Sequence, residues 1–247
     1  MTLTISPPSA FGSGIERPKS GHPLFLASVR SLAEAELVVG CGADIVDCKD
    51  PERGALGALE PHTILEVMES VAGRVPVSAT IGDCPPDFPS ILDAMGPVAD
   101  TGVDIVKIGF APGPDVPNLI RRIGGVTPAH DGQRRIAVFF ADQGFQDDWI
   151  TACAEAGFIG VMVDTAGKSS GPLSGYLGGE DVSRFVNHGH QLGLLMGLAG
   201  GLRPSDVPRY RASGADVLGF RGGLCCKADR KLGLDADAVK GLRRILN

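Results

Sequence analysis

Eight short apolar runs punctuate this chain, at residues 24–29, 45–49, 75–81, 104–110, 135–141, 160–165, 194–199 and 216–220. They are continuous rather than alternating, as expected of strands in a parallel sheet covered on both faces. Between them lie stretches with helical character at residues 31–39, 61–71, 89–99, 118–123, 147–156, 180–191, 204–212 and 235–246. Ser31 with Glu34 three residues on reads as a capping box, and Pro61 suits a first helical turn. The turns into four of the runs repeat a glycine-led pattern: Gly42-Ala-Asp-Ile, Gly102-Val-Asp-Ile, Gly157-Phe-Ile-Gly and Gly214-Ala-Asp-Val. Such recurrence predicts equivalent helix-to-strand corners.

Strand alternating with helix eight times predicts an α/β fold, a single (β/α)8 TIM barrel. A chain of 247 residues matches the size of one such barrel. An open doubly wound sheet is the alternative, but no GxGxxG follows the first strand and no Walker sequence is present. Residues 1–21, rich in Pro, Gly and Ser, read as a flexible extension, leaving 22–247 as the catalytic domain.

Composition narrows the chemistry. A net charge of -6 argues against a nucleic-acid partner, which needs clustered Lys and Arg. No run approaches a membrane span, and the start lacks a signal-peptide pattern, so a cytoplasmic protein with no membrane partner is expected. Six cysteines show no CxxC spacing, and His22, His62, His130, His188 and His190 do not fall on strand ends; no metal and no cofactor is expected. His188 and His190 read as a solvated helix end. A homo-oligomer is the expected state.

In a barrel of this class the active site lies at the C-terminal ends of the strands, so residues that interrupt or finish each apolar run are the informative ones. They are Asp47 and Lys49, Asp83, Lys107, Asp142, Asp164 with Lys168, and Arg221. Asp47 and Lys49, two apart, project to the same face and can pair or share a proton. If that face is the barrel interior, desolvation favours a neutral amine able to attack a carbonyl; a surface lysine at a strand end is the other reading. Lys107, flanked by apolar residues, points either inward or out between the helices. Asp83 and Asp142 read equally well as caps of the turns that follow them. Two glycine-rich corners, Leu198-Ala-Gly-Gly-Leu-Arg-Pro204 and Gly219-Phe-Arg-Gly-Gly223, place Gly200, Gly201, Arg221, Gly222 and Gly223 where many barrels bind phosphate. A lysine-rich mouth beside a phosphate corner suggests carbonyl chemistry on a phosphorylated small molecule through an iminium ion.

The segments Gly42-Ala-Asp-Ile-Val-Asp-Cys-Lys-Asp-Pro-Glu-Arg-Gly-Ala-Leu-Gly-Ala58, Val77-Ser-Ala-Thr-Ile-Gly-Asp83, Gly102-Val-Asp-Ile-Val-Lys-Ile-Gly109, Val163-Asp-Thr-Ala-Gly-Lys168, Leu198-Ala-Gly-Gly201 and Arg221-Gly-Gly-Leu-Cys225 resemble those of the (5-formylfuran-3-yl)methyl phosphate synthases. The resemblance implies a TIM barrel that condenses two molecules of glyceraldehyde 3-phosphate, with loss of phosphate and water, to a furan aldehyde phosphate for methanofuran-type cofactors in one-carbon metabolism. It implies Lys49 as the Schiff-base residue and Lys107 as the proton-transfer residue, with Asp47, Asp164 and Lys168 in the same site. Gly200, Gly201, Arg221, Gly222, Gly223 and Asp142 are the expected substrate and phosphate contacts. The chain departs from the family pattern at Cys226-Lys-Ala228, where a glycine pair is expected. Another Schiff-base aldolase and a non-catalytic phosphosugar-binding subunit are the competing functions.

Overall fold

The apolar runs form eight parallel strands: β1 (Leu24–Val29), β2 (Ile45–Cys48), β3 (Val77–Thr80), β4 (Ile105–Phe110), β5 (Arg134–Phe140), β6 (Gly160–Asp164), β7 (Leu195–Leu198) and β8 (Val217–Phe220). They pair in chain order, and β8 closes on β1 through the register Leu24 to Val217 and Ala27 to Phe220. Helices α1 (Leu32–Gly40), α2 (Pro61–Val71), α3 (Phe88–Ala99), α4 (Val116–Gly124), α5 (Asp147–Glu155), α6 (Gly179–Gln191), α7 (Val207–Ala212) and α8 (Ala236–Leu246) alternate with the strands. The result is the closed TIM barrel expected from the sequence. The computed structural model describes residues 17, 18, 21–167 and 171–247, so most of the proposed extension and Lys168 lie outside the described residues. Among the described residues, no helix is long and apolar enough to cross a membrane.

The repeated glycine turns are equivalent corners. Gly42, Gly102, Gly157 and Gly214 all adopt φ between +76° and +85°, the left-handed region that glycine takes without a steric penalty. The aspartate two residues after three of these glycines has its own task. Asp44, Asp104 and Asp216 each accept a hydrogen bond from the backbone of the preceding strand or its edge, at Phe25 N, Val77 N and Met196 N, over 2.7–2.8 Å. Each carboxylate thus ties a strand to its neighbour at the N-terminal rim, where the sheet ladder begins.

Strand parity divides the buried residues into two groups. One packs between the sheet and the helices, with Phe25, Val46, Val106, Ile108, Phe139 and Leu218 facing outward. The other fills the lower barrel interior, with Leu26, Ile45, Ile105, Ile136, Met162, Leu195 and Val217 facing inward. Continuing the two-residue period upward, the next inward positions are Ser28, Asp47, Ser78, Lys107 and Asp164, so the interior changes from apolar to charged within one layer.

Three local expectations are corrected. Ser31 accepts a hydrogen bond from Glu34 N at 3.4 Å, but the Glu34 carboxylate turns to Arg30 N and Arg221, so the capping box is only half formed. The helix expected over 204–212 is a 3-10 turn, Pro204–Asp206, followed by α7; Pro208 has no N–H with which to bond back to the carbonyl of Pro204. His190 is not a solvated helix end, since its Nε2 lies 2.8 Å from Asp216.

Helix packing has one close approach that tests the architecture. A Cβ added at Gly124, the end of α4, would be driven into the backbone and Cβ of Ala156, whereas one at Gly241 in α8 would meet nothing within 4 Å. Gly124→Ala is therefore expected to lower stability by about 1–3 kcal/mol. Gly241→Ala should raise it by roughly 0.5–1 kcal/mol through helix propensity. Urea unfolding of both variants checks the pair; equal effects would contradict the packing.

Candidate active site

Asp47 is the centre of the charged layer and is fully buried. Its strand neighbours in register are Ser28 on β1 and Ser78 on β3, and both hydroxyls donate to it, Ser28 Oγ to Oδ2 at 2.9 Å and Ser78 Oγ to Oδ1 at 2.7 Å. Lys107, 3% exposed, crosses from β4 and places Nζ 2.9 Å from Asp47 Oδ1. Lys49, one residue beyond β2 and 8% exposed, places Nζ 3.1 Å from Asp164 Oδ2 at the end of β6. The other oxygen of Asp164 accepts Thr165 N at 2.8 Å. Asp47 and Lys49 do share the inner face, as their spacing predicts, but the pairing runs across the barrel, Lys49 to Asp164 and Lys107 to Asp47.

The electrostatic consequence is clear at Asp47. Burial pushes its carboxyl up, but Lys107 and Lys49, with hydrogen bonds from Ser78 and Lys107, outweigh this and hold the group below the usual carboxylate range. Among the described residues, two cations face two carboxylates in this layer. The thiols play no comparable part: all six cysteines are free, and burial pushes Cys48 and Cys153 well up, away from thiolate chemistry. Among the described residues, no three His, Cys, Asp or Glu side chains are grouped as around a metal ion.

Above this layer opens a cleft of about 510 Å³, lined by Lys49, Lys107, Asp47, Asp164 and the corners after β7 and β8. This is within the size range of small-molecule sites. Gly200, Gly201, Gly222 and Gly223 all line it. Close approach also requires glycine here: Gly200 has φ +97° with Thr165 3.0 Å from the position of a Cβ, and a Cβ on Gly223 would lie 2.9 Å from Leu202 O.

Two sequence expectations change in detail. Arg221 lines the cleft, but its five N–H groups donate to Arg230 O, Ser28 O, Leu232 O and both oxygens of Glu34. Thus saturated, it is a buried anchor of the rim and has no N–H left for a phosphate. Asp142 does not line the cleft; its carboxylate accepts Ala166 N and Gly167 N at 2.8 and 2.9 Å and fastens the loop after β6. Asp83 acts in the same way on the loop after β2, accepting Ala55 N and Leu56 N. Both aspartates thus hold the loop of a neighbouring strand, not the turns that follow them. Lys168 lies outside the described residues.

Sequence reasoning missed Ser28 and Ser78, which the inward parity of Asp47 could have flagged, and the basic residues Arg203, Lys227 and Arg230 along the rim. At the expected glycine pair, Lys227 and Ala228 both hold left-handed backbone, φ 56° and 55°, a conformation that glycine adopts more readily.

Replacing Asp47 tests the balance. Asp47→Asn removes the carboxylate facing Lys107 and is expected to cost about 3–5 kcal/mol near neutral pH. A carboxyl with a depressed folded pKa contributes stability above its unfolded value, near pH ~4, and loses it as pH falls through the folded value. The gap between wild type and Asp47→Asn in urea unfolding should therefore narrow below about pH 4. A gap constant from neutral to acid pH would contradict the assignment.

The chain has similar proteins along nearly its whole length. A Methylorubrum extorquens relative is 39% identical over 235 residues, covering 94% of this chain and 96% of its own, and its name assigns (5-formylfuran-3-yl)methyl phosphate synthase activity provisionally. The (5-formylfuran-3-yl)methyl phosphate synthase of Methanopyrus kandleri is 37% identical over 222 residues, covering 86% of this chain and 93% of its own. Among solved structures, 3-hexulose-6-phosphate synthase is similar with a TM-score of 0.59 at 18% identity, covering 90% of this chain and 99% of that one. Phosphoribosyl anthranilate isomerase from Thermus thermophilus is similar with a TM-score of 0.60 at 15% identity, covering 90% and 98%. At these identities the structural likeness shows the fold alone. The family model for 4-HFC-P synthase matches residues 25–243, nearly the whole barrel, and the chain belongs to that family.

Proposed function

We propose that this protein is a (5-formylfuran-3-yl)methyl phosphate synthase that condenses two molecules of glyceraldehyde 3-phosphate through a Schiff base on Lys49. Two trioses, less one phosphate and two waters, account for every atom of the furan product. The observation that carries the reading is the pair of buried ion pairs, Lys49 to Asp164 and Lys107 to Asp47, at the floor of one cleft.

An ammonium and an aldehyde give an iminium and water, so the charge at Lys49 is the same before and after the bond forms. Asp164 therefore faces a cation before and after, and its position beside Nζ suits it to take up and return the proton that the attacking amine must shed. The iminium draws electrons from the neighbouring carbon and acidifies it. Lys107, fixed by Asp47, is the group that exchanges protons there, and the resulting enamine attacks the carbonyl of the second triose. Elimination of phosphate and water, with ring closure, gives the aromatic furan. Its product would feed methanofuran-type cofactors.

Borohydride reduction in the presence of glyceraldehyde 3-phosphate, followed by peptide mapping, tests the reading. A reduced triose adduct is expected on Lys49 and lost in Lys49→Ala. Lys107→Gln, which keeps a donor toward Asp47, should still trap the adduct while furan formation falls on the order of 10²–10⁴-fold. An adduct without a furan product would indicate an ordinary aldolase. Folded wild-type protein that binds triose without forming an adduct would sink the Schiff-base mechanism.

A further inference from the structure

Among the described residues, three buried side-chain donors or acceptors lack a partner: the Tyr210 hydroxyl, Arg211 Nε and Arg230 Nε. Of these, Arg230 lines the cleft. Its Nη2 donates to Gly54 O at 2.9 Å and so joins the 225–235 segment after β8 to the loop after β2 that carries Lys49. The backbone beneath is held by the saturated Arg221, whose Nε and Nη2 donate to the carbonyls of Arg230 and Leu232. A side chain anchored at both ends thus crosses the mouth and leaves one charged N–H buried without an acceptor.

An unmet donor of this kind costs free energy until an acceptor arrives. The planar fork of arginine matches the oxygens of a phosphate. Arg203 and Lys227, both exposed, line the same cleft and make this rim basic. The carboxylate on the segment that also lines the cleft, Asp229, has Oδ1 occupied by Lys231 N at 3.0 Å. We propose that Arg230 is a ligand of the substrate's phosphate monoester, its guanidinium donating to the phosphate oxygens and holding the carbonyl end toward Lys49. Arg230 then takes the role that the sequence suggested for Arg221. The identity of the phosphate ester rests on the triose phosphate reading above; the anion site stands on the geometry of Arg230.

The test uses the full chain as wild type, Arg230→Gln and Arg230→Lys, with inorganic phosphate and glyceraldehyde 3-phosphate as probes in calorimetry and thermal unfolding. Arg230→Gln is expected to weaken phosphate binding about 10–100-fold. Its Tm without phosphate should be unchanged or higher, because an unpaired buried donor has gone, while the rise in Tm on adding phosphate is lost. Arg230→Lys should recover part of the affinity, and the loss in kcat/KM for triose phosphate should fall mainly in KM. Phosphate affinity in Arg230→Gln within about two-fold of wild type would overturn the inference. So would a lowered Tm without ligand combined with an intact phosphate response, which is the signature of a mere tether to Gly54. Trapping separates the two readings: loss of phosphate binding in Arg230→Gln without any Lys49 adduct in wild type would leave the anion site and remove the substrate reading. Equal adduct formation in wild type and Arg230→Gln at the same low triose concentration would do the reverse.

Discussion

Charge inside a barrel must be compensated at its own level, and that constraint governs the upper half of this molecule. Removing an ion from water costs several kcal/mol, and only a partner in good geometry with its other hydrogen bonds met offsets the cost. Asp47 meets the condition on all sides, with Lys107 at 2.9 Å and a serine hydroxyl from each adjacent strand. Lys49 and Asp164 meet it less completely, with one 3.1 Å contact and a backbone amide. The asymmetry separates the two pairs: the pair around Asp47 is the more firmly held, and the Lys49 pair, nearer the opening, is the one that under the proposed mechanism exchanges its partner for a substrate.

That exchange needs the loops above the charged layer to stay in place, and buried groups around the rim supply the restraint. Asp83 grips the loop after β2 through Ala55 N and Leu56 N, Asp142 grips the loop after β6, and Arg221 with Glu34 ties the segment after β8 to β1 and α1. All three interactions use a charged side chain to satisfy backbone groups or an opposite charge, which makes them positioning devices. Beneath them, Asp44, Asp104 and Asp216 perform the same service for strand starts at the opposite rim. Carboxylate-to-amide bonds thus brace both ends of the barrel, with the charged layer between them.

Much of this was legible in the sequence because parity and periodicity are local properties. The eight apolar runs, the glycine corners and the shared face of Asp47 and Lys49 follow from strand geometry alone, whereas the inward direction of that face and of Lys107 had to come from the barrel. Partner choice did not follow. That Lys49 meets Asp164 rather than Asp47 depends on where β2 and β6 stand around a closed barrel, which is a tertiary fact. Arg221 illustrates the same limit: an arginine beside two glycines at the end of β8 reads as a phosphate ligand until Glu34, 187 residues away in sequence, is found to occupy both ends of its fork. Arg230 escaped notice for the converse reason, because its segment carries no regular periodicity and reaches the cleft only through a turn with left-handed Lys227 and Ala228.

The likeness to other barrels at 12–18% identity shows how little of the chemistry belongs to the fold. A (β/α)8 frame offers eight strand ends facing one mouth, and any of them can present a charged group there. Here those groups come from β2, β4 and β6, spread over half of the closed ring, while the glycine corners belong to β7 and β8 in the remaining arc. A phosphorylated aldehyde bound by its phosphate near β8 would extend across the mouth toward Lys49, with β1 between the two stations. The small inward residues Ser28 on β1 and Gly219 on β8 line that path. A larger side chain at Gly219 would leave both ion pairs untouched and still obstruct the line from anion to amine, so the space between the two stations is as much a part of the site as the charges.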